Sequence, residues 1–181
     1  MPVYADFIAD VYYGRANLPV HFTDTSTGSP VSWDWDFGDG SPHSVDQNPI
    51  HVYTVAGTHT VTLSVTDLIT TEEVSKDITV LVRSEFSANP RRGLPPLQVL
   101  FTDTSKGVPT SWVWDFGDGS PYSTDQNPSH EYTASGQYMV TLTVNKGSST
   151  DIEVKSGYIS VIDVQTVTGF VRVQGPTLIF D

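Results

Sequence analysis

Hydrophobic positions in this chain recur mostly at a period of two. Trp33, Trp35 and Phe37 fall on one side of an extended stretch, while Asp34 and Asp36 fall on the other. Val61, Leu63 and Val65 alternate with Thr60, Thr62 and Ser64 over the most regular run, and this strand is expected to be central in its sheet. Further strands are expected over residues 3–9, over Val20–Asp24 and over Glu73–Val82, where Ile78 and Val80 alternate with Thr79 and Leu81. Gly14–Pro19 and Ser26–Pro30 read as turns, and Ser41–Pro49, polar and with two prolines, cannot continue a central strand. With about seven short strands and no helical period, the pattern predicts an antiparallel β-sandwich.

The pattern is written twice. Trp33-Asp34-Trp35-Asp36-Phe37-Gly38-Asp39-Gly40 returns as Trp112-Val113-Trp114-Asp115-Phe116-Gly117-Asp118-Gly119, and at the same offset of 79 residues Phe22–Val65 matches Phe101–Val144 with 30 identities in 44 positions and no gap. That offset is too long for a solenoid unit and suits a small sandwich closing its own core. The expected architecture is all-β, with two tandem immunoglobulin-like antiparallel β-sandwiches over residues 1–82 and 83–162 and a C-terminal β segment over 163–181. After Val144 the offset slips by about two residues, which Lys146–Ser149 and Ser156-Gly157 account for. Between Val82 and Phe86 there is no linker, so the domains are expected to stack end to end with little freedom.

Composition narrows the chemistry. The 181 residues include no cysteine, so disulfides and thiol chemistry are excluded. A net charge of −12 repels phosphate backbones and anionic membranes, so nucleic acid is not an expected partner. No apolar run is long enough for a bilayer, and Met1–Asp6 lacks the basic and apolar regions of a signal peptide, so no membrane insertion is expected.

Several ordered motifs resemble the PKD domain, the immunoglobulin-like module named after polycystic kidney disease proteins. In the first copy they are Phe22-x-Asp24-x-Ser26, Trp35-Asp36-Phe37-Gly38-Asp39-Gly40, Asn48-Pro49-x-His51-x-Tyr53, Gly57 and Val61-x-Leu63-x-Val65. In the second they are Phe101, Trp114-Asp115-Phe116-Gly117-Asp118-Gly119, Asn127-Pro128-x-His130-x-Tyr132, Gly136 and Val140-x-Leu142-x-Val144. The resemblance covers residues 1–162. It implies a non-enzymatic extracellular or cell-surface protein, since such modules act as spacers and adhesive units in tandem arrays and beside the catalytic domains of secreted proteases and chitinases. The expected role is a surface spacer or a self-assembling filament or sheath subunit, whose partner is itself or another cell-surface protein. The alternative is an accessory polysaccharide- or protein-binding module of a larger secreted hydrolase.

Candidate sites follow. Asp36, Asp39, Asp115 and Asp118 have the composition of paired hydrolytic carboxylates, but the reading adopted is that they hold turns beside a core tryptophan, with no catalytic residue. His51 and His130 are expected as hydrogen-bonding residues of the same motif. Gly136-Gln137-Tyr138-Met139-Val140 resembles the tyrosine corner of immunoglobulin-like folds, where His59 in the first copy predicts a weaker or pH-sensitive tie. Some PKD domains in collagenases bind calcium through an Asp-x-Asp loop before the tryptophan strand, which both copies lack. Asp10, Asp24 and Asp67 remain a candidate calcium set in the first copy, whereas the second has Asn89 and Asp103 but Lys146 in place of the late acid. No other cofactor is expected. For polysaccharide, Trp33, Trp35, Trp112 and Trp114 read as core, the first and third partly exposed, leaving Tyr4, Tyr12, Tyr13 and Tyr122 as surface aromatics. In the tail, Phe170, Val171, Val173, Leu178, Ile179 and Phe180 form a candidate assembly contact, adding strands to a neighbouring copy or folding back on the second domain.

Overall fold

The computed structural model describes residues 2–163 as two β-sandwiches in tandem. The tail residues singled out above, Phe170 to Phe180, lie outside the described residues. The first sandwich contains β1 (Phe7–Ala9), β2 (Tyr13–Arg15), β3 (Leu18–Asp24), β4 (Ser32–Asp36), β5 (Ile50–Tyr53), β6 (Gly57–Thr66) and β7 (Thr71–Leu81). The second repeats it with β8 (Phe86–Asn89), β9 (Arg92–Gly93), β10 (Leu97–Asp103), β11 (Ser111–Asp115), β12 (Ser129–Tyr132), β13 (Gly136–Lys146) and β14 (Ser149–Val161). A three-stranded sheet ordered β1-β3-β5 faces a four-stranded one ordered β2-β7-β6-β4, and the second copy has the same two layers.

The regular Val61–Val65 strand lies between β4 and β7, as its alternation predicts. Two differences from the sequence pattern fall in Gly14–Pro19. β2 occupies its start, pairing parallel with β7 from Tyr13↔Thr79 to Arg15↔Leu81, and β3 already begins at Leu18. A three-residue parallel edge has no room for alternation, so it leaves no periodic signal. Pro19 is tolerated because β1 reaches only Phe22–Asp24, leaving one side of that residue free of ladder partners.

Each core is built around its tryptophan. Trp35 is fully buried, with the Phe7 ring edge-on at 5.1 Å and the Phe22 ring at 5.4 Å; Trp114 repeats this with Phe86 at 5.2 Å and Phe101 at 5.5 Å. Lys76 and Lys155, on the outer strands β7 and β14, turn inward to the Phe7 and Phe86 carbonyls and lie against those rings. An inward-pointing lysine discourages strand addition at an otherwise open edge.

The junction between the sandwiches is closely packed. Ala56 and Val82 pack into the second core rather than the first. Gly107, at φ +91°, has no room for a side chain: a Cβ there would lie 3.0 Å from Val82 Cα, 3.1 Å from Ala56 Cβ and 3.2 Å from Ala16 Cβ. Around this apolar contact the Ala56 N–H donates to the Gly107 carbonyl at 3.1 Å, and the Val82 N–H to Ser149 Oγ at 3.0 Å. Asp151 accepts the Ser84 N–H at 2.8 Å and a two-pronged Arg15 guanidinium at 2.9 and 2.8 Å. Its side chain is only 12% exposed, so this ion pair across the junction is shielded from solvent on one side.

Candidate functional site

The repeated motif builds the same polar knot at one end of each tryptophan strand. Gly38 and Gly40 take φ +73° and +79°, turning the chain directly after Phe37, and the carboxylates on either side fix that turn. Asp36 Oδ1 accepts the Gly38 N–H at 2.8 Å, and Asp39 Oδ1 accepts the Ser41 N–H at 3.0 Å. The second oxygen of Asp39 meets His51 Nε2 at 2.7 Å, while the imidazole lies flat on Phe37, 4.1 Å between centroids and 4° from parallel. Tyr53 then donates its hydroxyl to the Phe37 carbonyl at 3.0 Å. Asp115, Asp118, His130, Phe116 and Tyr132 repeat every one of these contacts.

These contacts determine the electrostatics. Burial pushes the Asp39 carboxyl up, but the Ser41 donors and the His51 imidazole outweigh it and hold the group down at about 2. Asp118 is lowered by the same balance of burial against Ser120 and His130. Burial chiefly, with the nearby carboxylates, pushes the Tyr53 and Tyr132 phenols far above their ordinary range. A carboxylate ionised down to about 2 holds no proton to give and is a weak base near neutrality, so the pair suits a structural clasp better than acid–base catalysis.

A second clasp joins the layers. Asp24 Oδ2 accepts from Trp33 Nε1 at 2.8 Å and Gln47 Nε2 at 3.0 Å, and its Oδ1 from the Ser26 N–H at 2.9 Å. The carboxyl of Asp24 is lowered because these donors overcome its burial, and Asp103 behaves alike. This placement corrects the candidate calcium set. Asp24 is consumed by protein donors, Asp10 sits three residues along β3 from it, opposite His21, and Asp67 caps the β6–β7 turn. Three residues of strand are about 10 Å, too far for one cation. Among the described residues no group of three or more His, Asp or Glu side chains is placed to hold a metal.

At the corner position, Tyr138 donates its hydroxyl to the Ala134 carbonyl at 2.7 Å; His59 sets Nε2 2.9 Å from the matching Val55 carbonyl and Nδ1 3.4 Å from Gly38 O. Tyr4, Tyr12, Tyr13 and Tyr122 are exposed, and Trp33 and Trp112 are half-buried. Tyr122, 67% exposed, borders an open recess of about 440 Å³ with Asp115, Gly117, Gly119, Ser120 and Pro121. The first copy places His43 there, with Nδ1 3.0 Å from Asp34 and Nε2 3.7 Å from Asp36. Sequence reasoning passed over this triplet and the Arg15–Asp151 pair. The first had a signal: Asp34 with His43 becomes Val113 with Tyr122, a paired exchange between the copies. Arg15 and Asp151, 136 residues apart, had none.

Comparison with known proteins gives a consistent picture. The PKD domain profile matches residues 5–82 and again 87–161. Human polycystin-1 is 30% identical over 117 residues, covering 60% of this chain, and collagenase ColA of Bacillus cereus is 42% identical over 60 residues, covering 31%. The chain spans only 3% and 6% of the length of those two relatives. Among solved structures, the PKD1 domain of the Vibrio cholerae metalloprotease PrtV is 34% identical, covering 44% of this chain and 98% of its own, with a TM-score of 0.39.

Proposed function

Since the chain belongs to the PKD domain family, two copies in tandem, we propose that it is a non-catalytic extracellular structural unit: a stiff spacer that holds surfaces or other domains a fixed distance apart. The observation that carries this reading is the junction. A flexible two-domain linker leaves domains free to reorient, whereas here Ala56 and Val82 sit in the second core and Asp151 clamps both Arg15 and the Ser84 backbone. Such a joint transmits force and preserves distance. Small-angle X-ray scattering of the full chain should give a single elongated species, and Asp151→Ala, which releases both partners, should broaden its distance distribution without unfolding either sandwich. An unchanged distribution, or a broad one in the parent chain, would refute the spacer role.

A second reading, an accessory binding module of a larger secreted hydrolase, is favoured by the similarity to a collagenase and by the recess beside exposed Tyr122. An aromatic face with a neighbouring carboxylate has the elements a sugar ring or an extended peptide uses. Tyr122→Ala should then abolish retention on insoluble polysaccharide or collagen; equal retention would exclude this recess as the binding surface.

A further inference from the structure

The intrachain junction shows what covers each end of such a domain, and both ends occur again without that cover. Within the chain, the far end of the first sandwich, with Arg15, Ala16 and Ala56, meets the near end of the second at Gly107, Ser149 and Asp151. At the near end of the first sandwich, Gly28 stands where Gly107 stands, and Glu72, opposite Val65, stands where Asp151 stands opposite Val144. Gly107 is buried by its neighbour; Gly28 is only half-buried and Glu72 is exposed.

That uncovered end carries a preformed apolar tip. The β6–β7 turn has four residues, Asp67–Thr70, against two, Gly147-Ser148, in the second copy. It presents Leu68 and Ile69 at 84% and 89% exposure. Asp67 Oδ1 pins it, accepting the N–H groups of Ile69 at 3.0 Å and Thr70 at 2.9 Å while Leu68 holds φ +78°. Order of this kind in two solvated aliphatics favours binding, because little entropy is left to lose. At the internal junction the shorter turn leaves a recess of about 350 Å³ against Ala56–Thr58 and Thr79–Leu81. A tip two residues longer and apolar has room to enter the matching recess at the far end of the second sandwich, beside Ser135–Gln137 and exposed Leu94.

Charge points the same way. Residues 1–82 hold 11 Asp+Glu against 2 Lys+Arg, and residues 83–163 hold 9 against 6. Glu72, Glu73 and Asp67 surround the near end of the first sandwich, whereas Arg92, exposed, and Arg91, over the Tyr158 ring, flank the far end of the second, with Asp163 as the acid beside them. The two free ends are complementary, as the two joined ends are.

We infer that the chain binds a second copy of itself head to tail: the Leu68-Ile69 tip and Glu72 of one molecule dock on Leu94 and Arg92 of the next, continuing the internal junction between molecules. The contact is heterologous, so it extends without closing, as nearest-neighbour stacking does in repeat arrays. This deepens the spacer reading, to which it adds the partner. The test is sedimentation velocity of the full chain over a wide concentration range. The parent's mean mass should rise with concentration, Leu68→Asp with Ile69→Asp should weaken association at least about tenfold, and Arg92→Glu should do likewise and be restored by adding Glu72→Arg. Because the chain has no cysteine, Ile69→Cys mixed with Ser135→Cys should give disulfide-linked dimers that neither variant gives alone. A monomer at every concentration, or association indifferent to the tip and to Arg92, overturns the inference. Scattering that still shows a stiff monomer would then leave the spacer reading intact, and association of a chain with a floppy internal joint would be the reverse failure.

Discussion

The His51–Asp39 clasp makes a quantitative prediction about acid stability. In the folded chain Asp39 stays ionised down to about 2, against an ordinary value of 3.8. Its carboxylate is only 15% exposed, so solvent screening removes little of the effect. Between those two values the unfolded chain binds more protons than the folded one, so stability rises with pH there. At 1.36 kcal/mol per pH unit the carboxylate contributes about 2 kcal/mol, fully present above pH ~4 and lost as pH falls through ~2. Asp39→Asn keeps an oxygen for the Ser41 N–H and removes only the charge. It should cost about 1–2 kcal/mol at neutral pH, nothing near pH 2, and should flatten the stability profile between. Urea unfolding followed by tryptophan fluorescence at a series of pH values measures this directly, since urea, unlike guanidinium, leaves electrostatics unscreened. Asp118→Asn, which lowers the matching term in the second domain, serves as the internal repeat. If the variant and parent profiles run parallel from pH 4 to 2, the clasp contributes no charge-dependent stability and the reasoning fails.

Three further outcomes are expected. Gly38→Ala, at φ +73° with its Cβ directed into the Thr60 carbonyl, should cost about 3 kcal/mol or more, while Gly40→Ala, at φ +79° in open space, should cost only about 1 kcal/mol; comparing the two melting temperatures separates clash from backbone strain. His59→Tyr should copy the Tyr138 corner, holding or raising the first domain's stability by up to about 1 kcal/mol and removing any pH dependence of the tie to Val55, as seen in melting temperature against pH. Trp33→Phe should leave the fold intact but free Asp24 Oδ2 of its indole donor, raising the Asp24 carboxyl toward its ordinary value as followed by NMR titration; no change would show that Gln47 and Ser26 hold it alone.

Much of this protein was legible before any coordinates. The period-two alternation fixes strands because a pleated chain sends successive side chains to opposite faces, and a repeat offset of 79 with no gap requires two copies of one fold. Trp35 and Trp114 at the core centres, and the Gly-Asp-Gly turns after them, follow from that local rule. Tertiary structure alone decided what distant residues do to one another. It placed Asp24 under Trp33 and Gln47 instead of beside Asp10 and Asp67, set His51 against Asp39 from another strand, and joined Arg15 to Asp151 across 136 residues. It also left the Leu68-Ile69 tip uncovered at one end while burying Gly107 at the other. The physical reason is one of range. Alternation and turn chemistry act between neighbours in the chain and so are written in order, whereas a carboxylate's partners depend on which strands the sheet brings side by side.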